Sequence, residues 1–80
     1  MLETKAAPGA VVPGVYRHYK GKLYYVIGLS KDSETEQEFV VYRPLYDTAW
    51  PHLWHRSVTM FCEQVVVDGV SLPRFALVSA

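Results

Sequence analysis

Short apolar and aromatic runs, separated by polar segments, recur along this chain, as short strands require. Turn-forming residues separate these runs at roughly ten-residue intervals, as in small sandwiches and barrels. Residues 16–19 read as a short first strand. Lys20-Gly21-Lys22 forms a tight polar turn in which Gly21 is free to take a positive φ. Residues 23–29, rich in Tyr, Val and Ile, make the second strand. The polar run 30–36 has Ser, Asp and Thr side chains that favour turns by bonding to nearby backbone.

Residues 37–46 read as the third and longest strand, centred on Phe39-Val40-Val41-Tyr42. Pro44 has no N–H to donate, so this strand is expected to bend there or run along an edge. After a loop at 47–51 comes a fourth strand at 53–56. Ser57 or Thr59 is placed to cap one or two helical turns through Met60, Phe61 and Cys62. Residues 64–67 return to β, Asp68-Gly69 signals a hairpin, and 74–78 reads as its return strand with Pro73 at the start. No segment keeps a helical period long enough for a βαβ unit. The pattern predicts an all-β fold, or β with one short helix: a small SH3-like barrel or roll of five to six strands.

Eighty residues allow one domain. Breakers and small residues without periodicity make 1–12 a disordered N-terminal tail, and Pro13-Gly14 opens a single domain over 13–80. With Cys62 as its one cysteine, the chain has no intrachain disulfide and no cysteine cluster for zinc. A domain this small must therefore rely on apolar packing. Half of its residues are hydrophobic, including six Tyr, three Phe and two Trp. That suffices for an unstapled core, or one shared with a second copy, so a monomer or weak homodimer is expected.

Eight basic residues balance eight acidic ones, which argues against general nucleic-acid binding. No run approaches the ~20 apolar residues of a membrane span, and no basic segment leads into an apolar one as in a signal peptide. The lone thiol favours a reducing compartment, so a cytoplasmic location is expected.

Most catalytic and metal chemistries find no support in the spacing. Cys62, between Phe61 and Glu63, reads as a buried, inert thiol. The serines lack a Gly-x-Ser-x-Gly elbow, and the isolated Gly21 and Gly28 make no phosphate-binding loop. His52 and His55 lie three apart, which on a strand points them to opposite faces, so no metal site is expected and no cofactor is implied. What remains is arginine beside aromatic: Tyr16-Arg17, Tyr42-Arg43, Trp54-His55-Arg56 and Arg74-Phe75. Guanidinium groups next to rings suit a flat anion through bidentate bonds and stacking. The same arginines also have carboxylates to pair with internally.

Several stretches resemble one family. Pro13-Gly14-Val15-Tyr16-Arg17-His18-Tyr19-Lys20-Gly21, Tyr24-Tyr25-Val26-Ile27-Gly28, Ser33-Glu34-Thr35, Val40-Val41-Tyr42-Arg43, Leu45-Tyr46, Leu53-Trp54, Arg56, Met60-Phe61 and Pro73-Arg74-Phe75 look like the bacterial domain of unknown function numbered 1653. The resemblance covers residues 13 to about 78. It implies no activity. Two departures stand out: Asp32 where the family has His before Ser-Glu-Thr, and His55 and Ser57 flanking Arg56 where the family has Val and Pro.

The expected function is a non-catalytic recognition module for a small anionic or nucleotide-like ligand. Its pool of binding residues is Tyr16, Arg17, His18, Ser33, Glu34, Thr35, Tyr42, Arg43, Trp54 and Arg56. The alternative is a protein-interaction or assembly module anchored by Trp50 and Trp54. A small enzyme using Glu34 or His18 as general base ranks below both.

Overall fold

The computed structural model describes residues 11–48 and 52–80. These form β1 (Gly14–His18), β2 (Leu23–Lys31), β3 (Glu38–Pro44), β4 (Trp54–Ser57), the helix α1 (Val58–Phe61), β5 (Gln64–Val67), β6 (Val70–Pro73) and β7 (Phe75–Ser79). All strand pairing is antiparallel. Five strands make one sheet in the order β4-β3-β2-β1-β7, and β5 and β6 make a separate ribbon. The class is therefore all-β with one short helix. The expected barrel closure is absent among the described residues, where β4 and β7 remain edges.

Alternation gives the five-stranded sheet one buried face. Tyr16, Tyr24, Val26, Val40, Tyr42 and Phe75 point inward, and Val11, Val58 and Phe61 pack over them. Helix α1 is the lid. Ser57 caps it, its Oγ accepting from the Met60 N–H at 3.2 Å, and one turn suffices to lay Val58 and Phe61 on the sheet. Phe61 stacks flat on Phe75 with centroids 4.1 Å apart and meets Tyr16 and Tyr42 edge-on. A core built from tyrosines must satisfy their hydroxyls. The Tyr16 hydroxyl donates to the Val12 carbonyl (2.8 Å), Tyr24 and Tyr46 share a hydroxyl bond (2.9 Å), and the Tyr42 hydroxyl accepts from Arg56 Nε (3.3 Å).

Of the segment read as a tail, residues 1–10 lie outside the described residues, as does Trp50. Val11 is buried in the core cluster. Pro44 ends β3 two residues beyond the last pair with β4, Tyr42–Trp54. An interior strand thus tolerates proline because the missing N–H falls where there is no neighbour. The ladder between β2 and β3 shifts register at Ile27, which is left out of the pairing and exposed.

The hairpin after Asp68-Gly69 differs from the sequence reading. Both turn residues have positive φ (52° and 80°), so pairing restarts at once, Val67 opposite Val70. The return strand is consequently Val70–Pro73, and Pro73 ends it opposite Gln64 rather than beginning it. Phe75–Ser79 is a further strand that crosses to pair with β1. Arg74 is the junction. Its N–H bonds the Glu63 carbonyl, its carbonyl accepts from Tyr19, and its guanidinium meets the Glu63 carboxylate at 3.0 Å.

Candidate functional site

The two faces of the sheet divide the arginines. Arg17 and Arg43 are exposed on the outer face, flanking Tyr25, which lies directly across from Arg43. Arg56 lies on the inner face, opposite the fully buried Val40. Tyr16, His18, Tyr42 and Trp54 share that inner face with it. Ser33, Glu34 and Thr35 are elsewhere again, in the turn joining β2 to β3. The pool of ten candidates therefore resolves into one inner group, one outer pair and one distant loop. The strand alternation that separates Arg17 from His18 was visible in the sequence. The sharing of a face by β1, β4 and β7 required the pairing order.

The distant loop organises itself. Asp32 Oδ1 accepts from the Glu34 and Thr35 N–H groups at 2.9 and 3.0 Å, and Thr35 Oγ1 accepts from Gln37 at 3.2 Å. These bonds, that from Thr35 foremost, lower the Asp32 carboxyl below its usual range. The departure from the family at Asp32 thus has a local role: the residue closes its own turn. Glu34 and His18 sit at opposite ends of the sheet. The nine residues of β2 between them span on the order of 30 Å at the usual strand rise, so Glu34 and His18, each offered as a general base, do not act together on one substrate.

Tyr24 is the hub of the inner group, with its ring near those of His18 (6.3 Å), Tyr42 (5.5 Å), Tyr46 (5.5 Å), Trp54 (5.9 Å) and Phe75 (5.7 Å). Burial raises the Tyr24 hydroxyl well above its ordinary pKa, and the Tyr46 hydroxyl bond adds to this. Neither Tyr24, Tyr46, Phe75 nor Arg74 belonged to the ten candidates. Alternation within β2 already pointed Tyr24 the same way as Val26, and that signal was available.

Two positive groups, Arg56 and Lys22, meet this aromatic bank, and Arg74 acts on its His18 by charge. The Arg56 guanidinium is held by the Tyr42 hydroxyl and lies 5.9 Å from the Phe75 ring centroid. It has no carboxylate partner among the described residues. Arg74 is tied to Glu63, and its Nε is buried without a partner. Lys22 reaches over the Tyr46 ring at 4.7 Å. His18 lies between them, 5.0 Å from Phe75, with its Nδ1 accepting from the Lys20 N–H at 3.2 Å. That bond puts the proton of the neutral ring on Nε2. Burial pushes the His18 pKa down, and the charges of Arg56, Arg74 and Lys20 push it the same way.

The pairing also separates charge along the sheet. Asp32, Glu34, Glu36 and Glu38 gather where β2 turns into β3, whereas Arg17, Lys20, Lys22, Arg43 and Arg74 gather at the other end. A neutral chain thereby acquires a positive pole beside the aromatic bank.

The remaining chemistry is sparse. Burial raises the Cys62 thiol, away from the nucleophilic thiolate. His55 stacks on Phe39 on the outer face, centroids 4.5 Å apart. Among the described residues no three His, Cys, Asp or Glu side chains are grouped to hold a metal. A cavity of about 230 Å³ lined by residues including Arg43, Tyr46, Asp47 and Leu53 opens at the β3–β4 end. No helix among the described residues is long and apolar enough to cross a membrane.

This fold, a bent aromatic sheet with a one-turn lid, has a known relative. A crystal structure described as a protein belonging to pfam DUF1653 from Bordetella bronchiseptica superposes with a TM-score of 0.82 at 40% identity, covering 90% of this chain and 92% of that one. The family model described as "Protein of unknown function (DUF1653)" matches residues 14–77, and the chain belongs to that family. No curated protein matches.

Proposed function

We propose that this chain is a non-catalytic recognition module that holds a small anionic or nucleotide-like ligand on the inner face, at His18, Trp54 and Arg56. One observation carries the reading. Arg56 is oriented by a tyrosine hydroxyl and a phenylalanine ring, beside further rings, with no carboxylate to neutralise it among the described residues. A partly buried guanidinium left without a counter-ion favours an external anion. His18, Trp54 and Arg56 are only half-buried, so a ligand has access to them. Arg17 and Arg43 on the opposite face, and Ser33, Glu34 and Thr35 in the far turn, take no part. The lone protonated thiol favours placing the module in the cytoplasm.

Chemical-shift mapping with a panel of mononucleotides and small carboxylates tests this. Shifts confined to His18, Trp54, Arg56 and their neighbours are expected. Silence at those residues at millimolar ligand overturns the reading.

A second reading, an assembly module, is favoured by the β5–β6 ribbon. Val66 and Val70 there are 73% and 56% exposed, and a lone two-stranded ribbon is marginal in water. Light scattering across concentration tests it: growth in mass with concentration supports it, and a strict monomer refutes it.

A further inference from the structure

Resting on the ligand reading above, we infer that the inner face recognises a mononucleotide: an aromatic base against Trp54, with one phosphate held by Arg56 and the His18 Nε2–H.

The spacing comes first. Trp54 and Arg56 are two residues apart on β4 and so point to the same face, with a separation of about 6.6 Å along the strand. The Arg56 guanidinium is turned toward the Tyr42 hydroxyl and the Phe75 ring, so a ligand that lies on Trp54 and also meets that guanidinium carries its anionic group on a spacer, which a ribose supplies. Because β4 is an edge strand, one side of this pair has no neighbouring strand.

The donors fit one phosphate. Tyr42 takes Arg56 Nε, which leaves the two terminal amino groups of the guanidinium for a bidentate bond to an oxyanion. The His18 tautomer set by the Lys20 N–H leaves Nε2–H as a neutral donor. The second guanidinium nearby, Arg74, already engages the Glu63 carboxylate. It contributes positive potential, but the Glu63 carboxylate, held through Nη2, already serves it as counter-ion. Among the described residues the inner face thus has one guanidinium without a carboxylate counter-ion, which matches one phosphate better than three.

The base has rings to meet. Trp54 and Tyr46 are half-buried, and Tyr24 joins them from beneath, so π-surface is presented at the rim. Base stacking on such rings tolerates any base, so a preference among bases is not part of the inference.

Titration of the full chain with AMP, adenosine, inorganic phosphate and ATP, followed by NMR at the Trp54 indole and at Arg56 and His18, tests the assignment. AMP is expected to shift all three residues and to bind roughly tenfold or more tighter than adenosine, the worth of a charge-assisted pair. Arg56→Gln should erase that margin, and Arg56→Lys should not restore it, because an ammonium lacks the fork. Retained dispersion in the variant spectra establishes that they are folded. Adenosine binding as tightly as AMP, ATP binding tenfold tighter than AMP, or AMP affinity indifferent to Arg56→Gln would each overturn the inference. A small carboxylate that shifts Arg56 while AMP does not would overturn the mononucleotide but leave the anion-binding reading standing. Silence with every anion would remove both.

Discussion

Phe75 joins the helix, the sheet and the cationic rim, so its replacement tests the packing argument most directly. The residue is 6% exposed, stacks on Phe61 at 4.1 Å, and meets Tyr24, Tyr42 and His18 edge-on. Phe75→Leu keeps most of the buried volume but removes the ring. A change of shape in a packed core costs up to about 1.5 kcal/mol. Loss of the aromatic contacts adds roughly 0.5–1.5 kcal/mol for a pair such as Phe61–Phe75. A total near 2 kcal/mol corresponds to a fall in Tm on the order of 8–16 °C for a domain of this length. Phe75→Ala should cost about 3–5 kcal/mol. At ~0.05–0.15 kcal/mol per residue, that approaches the whole stability of a domain this small. Urea denaturation followed by far-UV circular dichroism gives both values. Val66→Ala on the exposed ribbon is the reference, expected within about 0.5 kcal/mol of the parent. If Phe75→Leu is as mild as Val66→Ala, the stacked pair is not the centre of the core and the reasoning fails.

Two further outcomes follow from the same structure. Gly14 has φ +149°, and a Cβ there would lie 2.5 Å from the Ser79 carbonyl oxygen and 2.8 Å from the Ala80 Cα, both backbone. Gly14→Ala should therefore cost about 2–4 kcal/mol from clash and strain together, whereas Gly21→Ala, with open space around it, should show the backbone strain alone; paired melts give the difference. His18 has a lowered pKa, so between its folded value and 6.5 the unfolded chain binds more protons than the folded one. Its contribution to stability is then complete above pH 6.5 and is lost as pH falls below it; denaturation midpoints from pH 7.5 to 5 should decline, and His18→Gln should flatten that slope.

Positions that report only on themselves and their chain neighbours were legible in the sequence. The β-forming run 23–29, the Ser57 cap and the Asp68-Gly69 turn are local physics, and each stands in the structure where the residues put it. The family was legible too, because its motifs are strings. The extent of the last hairpin was misread for a local reason. A two-residue turn with two positive φ values makes pairing resume at the very next residue, so Val70–Pro73, not the segment after Arg74, had to be the return strand. Arginine beside aromatic was a sound cue to chemistry but carried no face label. Neighbours in sequence on a strand point apart, so Arg17 and His18 part company at once.

The chain by itself determined its class, its strand chemistry, its short lid and its family, since these rest on period, propensity and turn residues. Only the tertiary structure decided that Arg56 and Arg74 lie near enough to His18 to hold its pKa down while Arg17 and Arg43 are on the outer face, and that a neutral chain has a positive end. Those outcomes depend on the order β4-β3-β2-β1-β7, and strand order is set by packing between segments far apart in sequence.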